Sequence, residues 1–310
     1  MIQYFKNINQ QTVAVDKPDS SVWVNVLPPL KQEEFSELSA SMNIPIDFLK
    51  DSLDIDERSR YEIDDSVTLI VIKTPTENNS FNESDAFYIT IPICIILTNN
   101  QIVTVNSFEN EAIKKFLNSF QKRHPDKKNM MVLKIFEKIT TNFQDYLKEI
   151  NQRRNLLEQK LYAANRNAEL LELVRIQKSL VYFVTALRSN ELLMMKIART
   201  NILELDDAEK EFLDDLIVET SQSLEMTNTY SHILDSSLDA FSSIISNNLN
   251  DVVKRLILVT IILSLTALVT GIYAMSLPVS GQTTVHFLYI PIILALMISI
   301  IISMYFRKKK

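Results

Sequence analysis

Neither glycine nor proline occurs between Asp126 and Thr270, a stretch of 145 residues. These two residue types interrupt helices more strongly than any others, so their absence predicts long uninterrupted helices. The whole chain has only two glycines, whereas phosphate-binding loops, dinucleotide fingerprints and nucleophile elbows need glycine where backbone approaches a ligand or turns with positive φ. The sequence therefore excludes such sites. We expect no enzyme, because no nucleophile stands at a recognisable spacing from an activating base.

Residues 1–125 combine predicted strands and helices. Runs rich in β-branched and aromatic residues predict strands at 11–15, 21–27, 67–74, 87–97 and 101–105. Helical spacing predicts helices at 31–42, 46–53 and 110–122, followed by long helices at 129–163, at 168–200 and from Asp207 onward. Asp206 and Glu209 have the spacing of a capping box at the start of the last helix. If that helix continues to Met275 it is about 100 Å long at 1.5 Å per residue, and it needs partners along its length.

Two uncharged segments of 20 residues, 256–275 and 287–306, are each long enough to cross a hydrocarbon core as a helix. Basic residues flank the pair at 254–255 and 307–310, and the connection 276–286 contains no Lys or Arg. The positive-inside rule then predicts a multi-pass protein of the cell membrane with both termini in the cytoplasm. A plain anchor is one interpretation. Hydroxyl side chains are concentrated in the first segment, however. This asymmetry favours an arrangement in which the first segment is an inner helix and the second is an outer helix that faces lipid.

Charge is divided unevenly along the chain. Residues 255–310 contain five cations and no acidic residue, which leaves 27 basic against 38 acidic residues in the remainder. An acidic body attracts cations and repels nucleic acid, so we expect no nucleic-acid partner. The single Cys94 lies in an apolar run and is expected to be buried and reduced.

Steps of three and four residues along the last predicted helix select one face that is mostly small and polar. This face, called the stripe below, consists of Asp239, Ser243, Ser246, Asn250, Val253, Leu256, Thr260, Ser264, Ala267 and Gly271. Such a face is typical of a pore helix when several copies surround an axis. It is also typical of packing between helices in lipid, and periodicity alone slightly favours packing.

The segments Ser246 to Leu256 and Leu265 to Ser276 resemble the end of the stalk helix and the first span of the CorA family of divalent-cation transporters. Further matches at 35–38, 48–58, 215–222 and 238–243 extend the resemblance over essentially the whole chain. The resemblance implies an α+β membrane protein that assembles as a homopentamer. It would have an α/β/α cytoplasmic funnel domain, a long helical stalk and two C-terminal transmembrane helices. The expected divisions are an α/β cytoplasmic domain at 1–125, a long-helix bundle and stalk at 126–254, and a two-span transmembrane domain at 255–310.

The resemblance also implies roles for individual residues. Asn250 and Asp239 would form polar rings, Val253 and Leu256 a hydrophobic gate, and Thr260, Ser264 and Ala267 the pore lining. Asp51 and Asp215 match acidic positions that hold regulatory Mg²⁺ between neighbouring subunits, and no other cofactor is implied. Taken without the resemblance, Asp215 belongs to a solvated acidic face that also contains Asp206, Asp207, Glu211 and Asp214.

The pore entrance departs from the family pattern. Family members end the span with Tyr-Gly-Met-Asn, whereas this chain has Tyr273, Ala274, Met275 and Ser276 after Gly271. Ser276 retains an oxygen but lacks the amide, and Ala274 lacks the conformational freedom of glycine. The leading hypothesis is a gradient-driven Mg²⁺ channel that is gated by cytoplasmic cation. The departures motivate two alternatives, a Zn²⁺, Co²⁺ or Ni²⁺ transporter of the same fold and a membrane-anchored scaffold that no longer transports.

Overall fold

Strands β1 to β7 span Ile2–Ile8, Gln11–Val15, Trp23–Val26, Arg60–Asp64, Val67–Glu77, Tyr88–Leu97 and Ile102–Asn106. They form one sheet in the order β2-β1-β3-β7-β6-β5-β4. The β3 and β7 strands pair in parallel, and the other neighbouring pairs are antiparallel. The computed structural model describes residues 2–8, 11–15, 23–28, 32–78, 85–99, 101–106, 111–122, 127–164 and 167–276, together with Ile293, Leu296, Met297 and Ile300.

Helices α1 to α6 span Gln32–Met42, Ile46–Asp51, Glu111–Lys122, Lys128–Ala164, Asn167–Thr200 and Asp207–Ser276. All six predicted helices and all five predicted strands are confirmed, with ends shifted by a few residues. The β1 and β4 strands are additions to the predicted set. The last helix is continuous over 70 residues, as the absence of helix-breaking residues predicted.

Helices cover both faces of the sheet. On one face, α1 and α2 insert Phe35, Phe48 and Leu49 into a buried cluster with strand residues that include Val71 and Cys94. The Cys94 thiol is fully buried, as predicted, and burial raises its pKa well above its ordinary value. On the opposite face, α4 and α5 pack on β5 and β6, and α3 packs on β2. The layering is α/β/α, as predicted, but one of its helical layers contains α4 and α5, which lie beyond residue 125.

Polar side chains attach the long helices to the sheet. The Asn190 side chain on α5 donates to the carbonyl oxygen of Lys73 at 2.8 Å and accepts from the Lys73 amide at 3.0 Å and from the Ser59 hydroxyl at 2.7 Å. Asn142 on α4 donates to the carbonyl oxygen of Pro75 at 3.2 Å. Both asparagines are buried, so these bonds satisfy groups that water does not reach. They fix the positions of α4 and α5 on β5.

The α6 helix begins at the predicted capping box. The Glu209 amide donates to the Asp206 carboxylate at 2.9 Å, and the Asp206 amide donates to the Glu209 carboxylate at 3.0 Å. Further along, the hydroxyls of Thr220 on α6 and Thr140 on α4 are hydrogen-bonded at 3.1 Å. The chain separates into two units, Met1–Leu238 and Asp239–Lys310, and the hydrogen bonds described so far lie in the first.

Candidate functional site

The second unit contains the C-terminal half of α6, whose side chains are exposed almost throughout. Among the described residues beyond Leu238, Phe241 is the only buried one. Large apolar side chains are exposed on this segment, including Leu249, Val252, Ile257 and Leu263. Apolar surface of this extent on one helix requires lipid or other helices around it.

One helix of the described residues is long and apolar enough to cross a membrane. It is α6, taken as Asp207–Gly271, and none of its most apolar window is buried. This finding agrees with the first predicted span, 256–275. The second predicted span, 287–306, lies outside the described residues except for four positions, which are helical with exposed side chains: Ile293, Leu296, Met297 and Ile300.

Every stripe residue of α6 from Asp239 to Gly271 is exposed in the single chain. The two apolar members, Val253 and Leu256, have 42% and 61% of their surface accessible. A Cβ added at Gly271 would meet no atom within 4 Å, so packing inside the chain does not require glycine at this position. Whatever selects small residues on this face therefore lies outside the described part of the single chain.

The opposite face of α6 is partly covered. Leu258, Ile262, Leu265 and Val269 recur at steps of four, three and four and are half-buried. At 3.6 residues per turn, this face and the stripe are centred roughly 180° apart on the helix. The most apolar part of α6 thus has one partly covered apolar side and one exposed side with small and polar residues.

The hydroxyl groups on this part of α6 bond to their own helix. The Thr260 hydroxyl donates to the carbonyl oxygen of Leu256 at 2.9 Å, and the Thr266 hydroxyl to that of Ile262 at 2.8 Å. This back-bonding supplies the partner that a hydroxyl needs in an apolar medium. Because the proton is donated to the backbone, the lone pairs of the Thr260 oxygen remain available on the exposed stripe. They can accept hydrogen bonds from water around a cation.

The signature residues Tyr273 to Ser276 form the last turn of α6. Ala274 therefore has helical backbone, which does not need the conformational freedom of glycine. Alanine suits a helical position well, since it has the highest helix propensity of any residue. The side chains of 272–276 lie outside the described residues, so their predicted role at the pore entrance stays a prediction.

Asp51, the first predicted regulatory residue, is the last residue of α2 and pairs with an arginine. The Arg60 guanidinium lies 2.8 Å from the Asp51 carboxylate, 2.9 Å from the Glu57 carboxylate, and in contact with Glu62. The Asp51 side chain is one-third exposed. Burial raises its pKa, and the neighbouring Arg60 charge offsets only part of this increase.

Arg60 is strongly held as a cation. Partial burial lowers its pKa, but hydrogen bonds to Glu57 and Glu62 outweigh this effect and place the pKa above its ordinary value. The sequence analysis missed this residue. The alternation of acids and bases over 54–62 was a signal that could have indicated an ion-pair network, but it did not identify which acids Arg60 would bind.

Asp215, the second predicted regulatory residue, is exposed on α6, and no ion pair joins it to another residue of the described ranges. Within the same ranges, no group of three or more Asp, Glu, His or Cys side chains is placed to hold a metal ion. Asp51 and Asp215 therefore do not form a complete cation site inside one chain. Their predicted joint role concerns neighbouring subunits and stays a prediction.

A family model described as "CorA-like Mg2+ transporter protein" matches residues 18–309 of the chain. The chain is 27% identical over 288 residues to the cobalt/magnesium transport protein CorA of Methanocaldococcus jannaschii, covering 90% of this chain and 87% of that protein. It is 20% identical over 312 residues to the cobalt/magnesium transport protein CorA of Thermotoga maritima, covering 99% and 88%.

A solved structure also resembles this chain over its full length. The complete structure of the CorA magnesium transporter from Methanocaldococcus jannaschii matches with a TM-score of 0.83 at 23% identity, covering 100% of this chain and 98% of that one. At this level of identity the structural match shows that the two chains have the same fold.

Proposed function

The chain belongs to the CorA family of divalent-cation transporters. We propose that the cation it transports is Mg²⁺ and that the ion passes through a pore lined by α6 from several copies of the chain. One observation carries the proposal. The stripe is exposed on α6 directly opposite the half-buried face, so a ring of copies can cover apolar surface while small and polar residues surround the axis. The matched relatives are named as transporters of magnesium and cobalt.

The stripe supplies a sequence of environments suited to a hydrated divalent cation. Asp239 and Asn250 offer oxygen atoms that attract the cation and hydrogen-bond to its water shell. Val253 and Leu256 follow as an apolar constriction that closes by losing water. Beyond them, Thr260 and Ser264 present hydroxyl oxygens, and Ala267 and Gly271 leave space. Mg²⁺ dehydrates reluctantly, so a lining that binds its water shell suits it better than one that replaces the shell.

The membrane potential is sufficient to drive inward movement. A divalent ion gains about 4.6 kcal/mol per 100 mV, twice the value of ~2.3 for one elementary charge. Nucleotide hydrolysis is not needed for such a step. We propose a homopentamer in the cell membrane, as the family resemblance implies. The basic flanks at 254–255 and 307–310 support a cytoplasmic location for both termini.

Regulation by cytoplasmic cation would use Asp51 of one subunit and Asp215 of another. Carboxylates are the ligands that Mg²⁺ prefers, and both side chains are accessible at least in part. Asp215→Lys is expected to weaken the protection from proteolysis that millimolar Mg²⁺ gives the cytoplasmic part. Asp214→Lys is the matched control, because Asp214 is also exposed on α6 and its replacement changes the net charge by the same amount. Equal digestion of both variants and the wild type at every Mg²⁺ concentration would remove Asp215 from the sensor.

Transport is tested with the purified protein in liposomes that contain a cation-sensitive dye, under an inside-negative potential. Uptake of Mg²⁺ above that of empty liposomes, increasing with the potential, is expected. Absence of uptake for Mg²⁺, Co²⁺, Ni²⁺ and Zn²⁺ alike would reject transport and favour a membrane-anchored scaffold. The same panel of ions tests whether the chain prefers a transition metal.

Co²⁺ is the second candidate cargo, because both matched relatives are named as cobalt/magnesium transport proteins. The signature residues are the place to test the choice of ion. If Ala274→Gly combined with Ser276→Asn increases Mg²⁺ flux relative to Co²⁺ flux, the natural signature favours cobalt. An unchanged ratio would place ion selection elsewhere in the pore.

A further inference from the structure

Arg60 joins three separate segments of the first unit. Its Nη2 lies 2.8 Å from Asp51 Oδ2 at the end of α2, and its Nε lies 2.9 Å from Glu57 Oε1 in the following turn. Its Nη1 contacts Glu62 on β4. The three carboxylates carry three negative charges around one positive charge, so the Arg60 site retains an excess of negative charge.

A second cation supports the same turn from the sheet. The Lys73 ammonium group on β5 donates to the carbonyl oxygen of Ile55 at 3.2 Å. Burial lowers the pKa of Lys73, while the carboxylates of Asp56, Asp54 and Glu57 oppose that change. The backbone of Lys73 is itself held by Asn190. The acidic turn between α2 and β4 is therefore held in place by side-chain cations of the chain.

We infer that Arg60 is a built-in counter-ion that competes with a divalent cation for the Asp51 carboxylate. This inference rests on the proposed regulatory role of Asp51. One carboxylate oxygen of Asp51 is occupied by Arg60, so a cation that binds this group must displace the guanidinium or share the group with it. The displacement leaves no unpaired charge, because Arg60 keeps Glu57 and Glu62 as partners. Asp51 is one-third exposed, so a hydrated cation can reach it from solvent.

Competition predicts that Arg60 sets the cation concentration at which the sensor responds. The test uses the full-length protein in detergent and measures protection from limited proteolysis as a function of Mg²⁺ concentration. Arg60→Gln is expected to lower the half-effective Mg²⁺ concentration by up to about fivefold, the upper end of the range for one exposed ion pair, because this pair is only one-third exposed. Arg58→Gln is the matched control, since Arg58 is exposed and its removal changes the net charge equally. It is expected to move the half-effective concentration less than about twofold.

Two further variants assign the effect to Asp51. Asp51→Asn is expected to raise the half-effective concentration, and Arg60→Gln combined with Asp51→Asn is expected to lose the gain of Arg60→Gln. If Asp51→Asn shifts the response and Arg60→Gln does not, competition is rejected while the regulatory role of Asp51 stands. If Asp51→Asn has no effect, the proposed regulatory role of Asp51 fails, and the inference about Arg60 fails with it. The proposal of transport is tested independently by cation uptake into liposomes.

A purely structural role of Arg60 gives a different result. In that case Arg60→Gln increases digestion equally at all Mg²⁺ concentrations and leaves the half-effective concentration unchanged, which would overturn the inference. Arg60→Lys provides a variant that retains the charge if the glutamine variant does not fold. It is expected to have a half-effective concentration between those of the wild type and Arg60→Gln, because a lysine cannot bind several carboxylates with a planar fork. A value equal to the wild type would contradict the importance of the fork.

Discussion

The Ser237 hydroxyl on α6 donates a hydrogen bond to the Glu158 carboxylate on α4 at 2.8 Å. Together with the Thr140–Thr220 bond, this contact shows that α4 and α6 run in the same direction, since residue numbers increase together on both helices. Ser237 is also the last α6 residue before the end of the first unit to bond to another helix in the described structure. The bond therefore fixes α6 close to the end of the first unit.

Removing the Ser237 hydroxyl should weaken this end of the first unit. Ser237→Ala is expected to lower stability by about 1.5 kcal/mol, the lower end of the range for a hydrogen bond to a charged group, because this bond is only partly buried. Ser236→Ala is the control, because the Ser236 hydroxyl is exposed and bonds only within α6, to the carbonyl oxygen of His232. Thermal unfolding of the two variants in detergent makes the comparison. Equal losses would mean that the bond to Glu158 adds no stability.

Cysteine substitutions at adjacent positions of α6 can test whether the stripe, rather than another face of the helix, lines the pore. Thr260→Cys is expected to make transport sensitive to Cd²⁺ or to a water-soluble thiol reagent, whereas Val259→Cys is not. Both positions are exposed in the single chain, but Val259 lies about 100° around the helix from Thr260. The native Cys94 does not interfere, because burial keeps its thiol inaccessible and raises its pKa. Block at 259 and not at 260 would place the pore on another face.

Asn190 is expected to be important for attaching α5 to the sheet. Asn190→Ala leaves the amide and carbonyl of Lys73 and the Ser59 hydroxyl without this partner. A loss of about 2–4 kcal/mol is expected, because unsatisfied buried groups cost about 1–3 kcal/mol each. Thr185→Ala on the same helix should change stability by less than about 0.5 kcal/mol, since its exposed hydroxyl bonds only to the carbonyl oxygen of Val181. Denaturant unfolding followed by tryptophan fluorescence measures both, and similar losses would contradict the role of Asn190.

The capping box of α6 makes stability depend on pH. Hydrogen bonds from Lys127 and from the Glu209 amide hold the pKa of Asp206 below its usual range. An acid with a lowered pKa in the folded state adds stability above its unfolded pKa, near 4, and loses it as the pH falls through the folded value. Asp206→Asn, which cannot ionise, should therefore be less stable than wild type at pH 7. The difference should shrink below pH 4, and a pH-independent difference would argue against ionisation as the cause.

Local sequence patterns predicted the regular elements closely. The long helices α4, α5 and α6 follow from uninterrupted helical periodicity, and the start of α6 follows from Asp206 and Glu209. The β4 strand was not predicted, because Arg60 to Asp64 is mostly charged and lies at the exposed edge of the sheet. It forms because the chain turns at 65–66 and β4 then pairs with β5 in antiparallel register. The β1 strand likewise depends on pairing with β2 and β3.

The candidate site divides in the same way. Exposure of the stripe from Asp239 to Gly271 agrees with the face that the helical period selected, although its role as a pore lining remains a prediction. The pairing of Asp51 with Arg60 could not be predicted, since several acids and bases over 47–62 offered alternative partners. The choice among them depends on how the end of α2, the turn and β4 meet in space.

The sequence by itself determined the six helices, the first membrane span and the stripe, because helix formation and amphipathicity depend on residues three or four positions apart. The tertiary structure alone decided which carboxylates surround Arg60, that Ser237 meets Glu158, and that the stripe lies opposite a half-buried face. The contacts of Arg60 join residues close in the chain, but they depend on how α2, the turn and β4 meet. The bond between Ser237 and Glu158 joins positions that are distant in sequence, and the half-buried face depends on what covers that side of the helix. No local pattern encodes them, since they follow from the packing of whole elements.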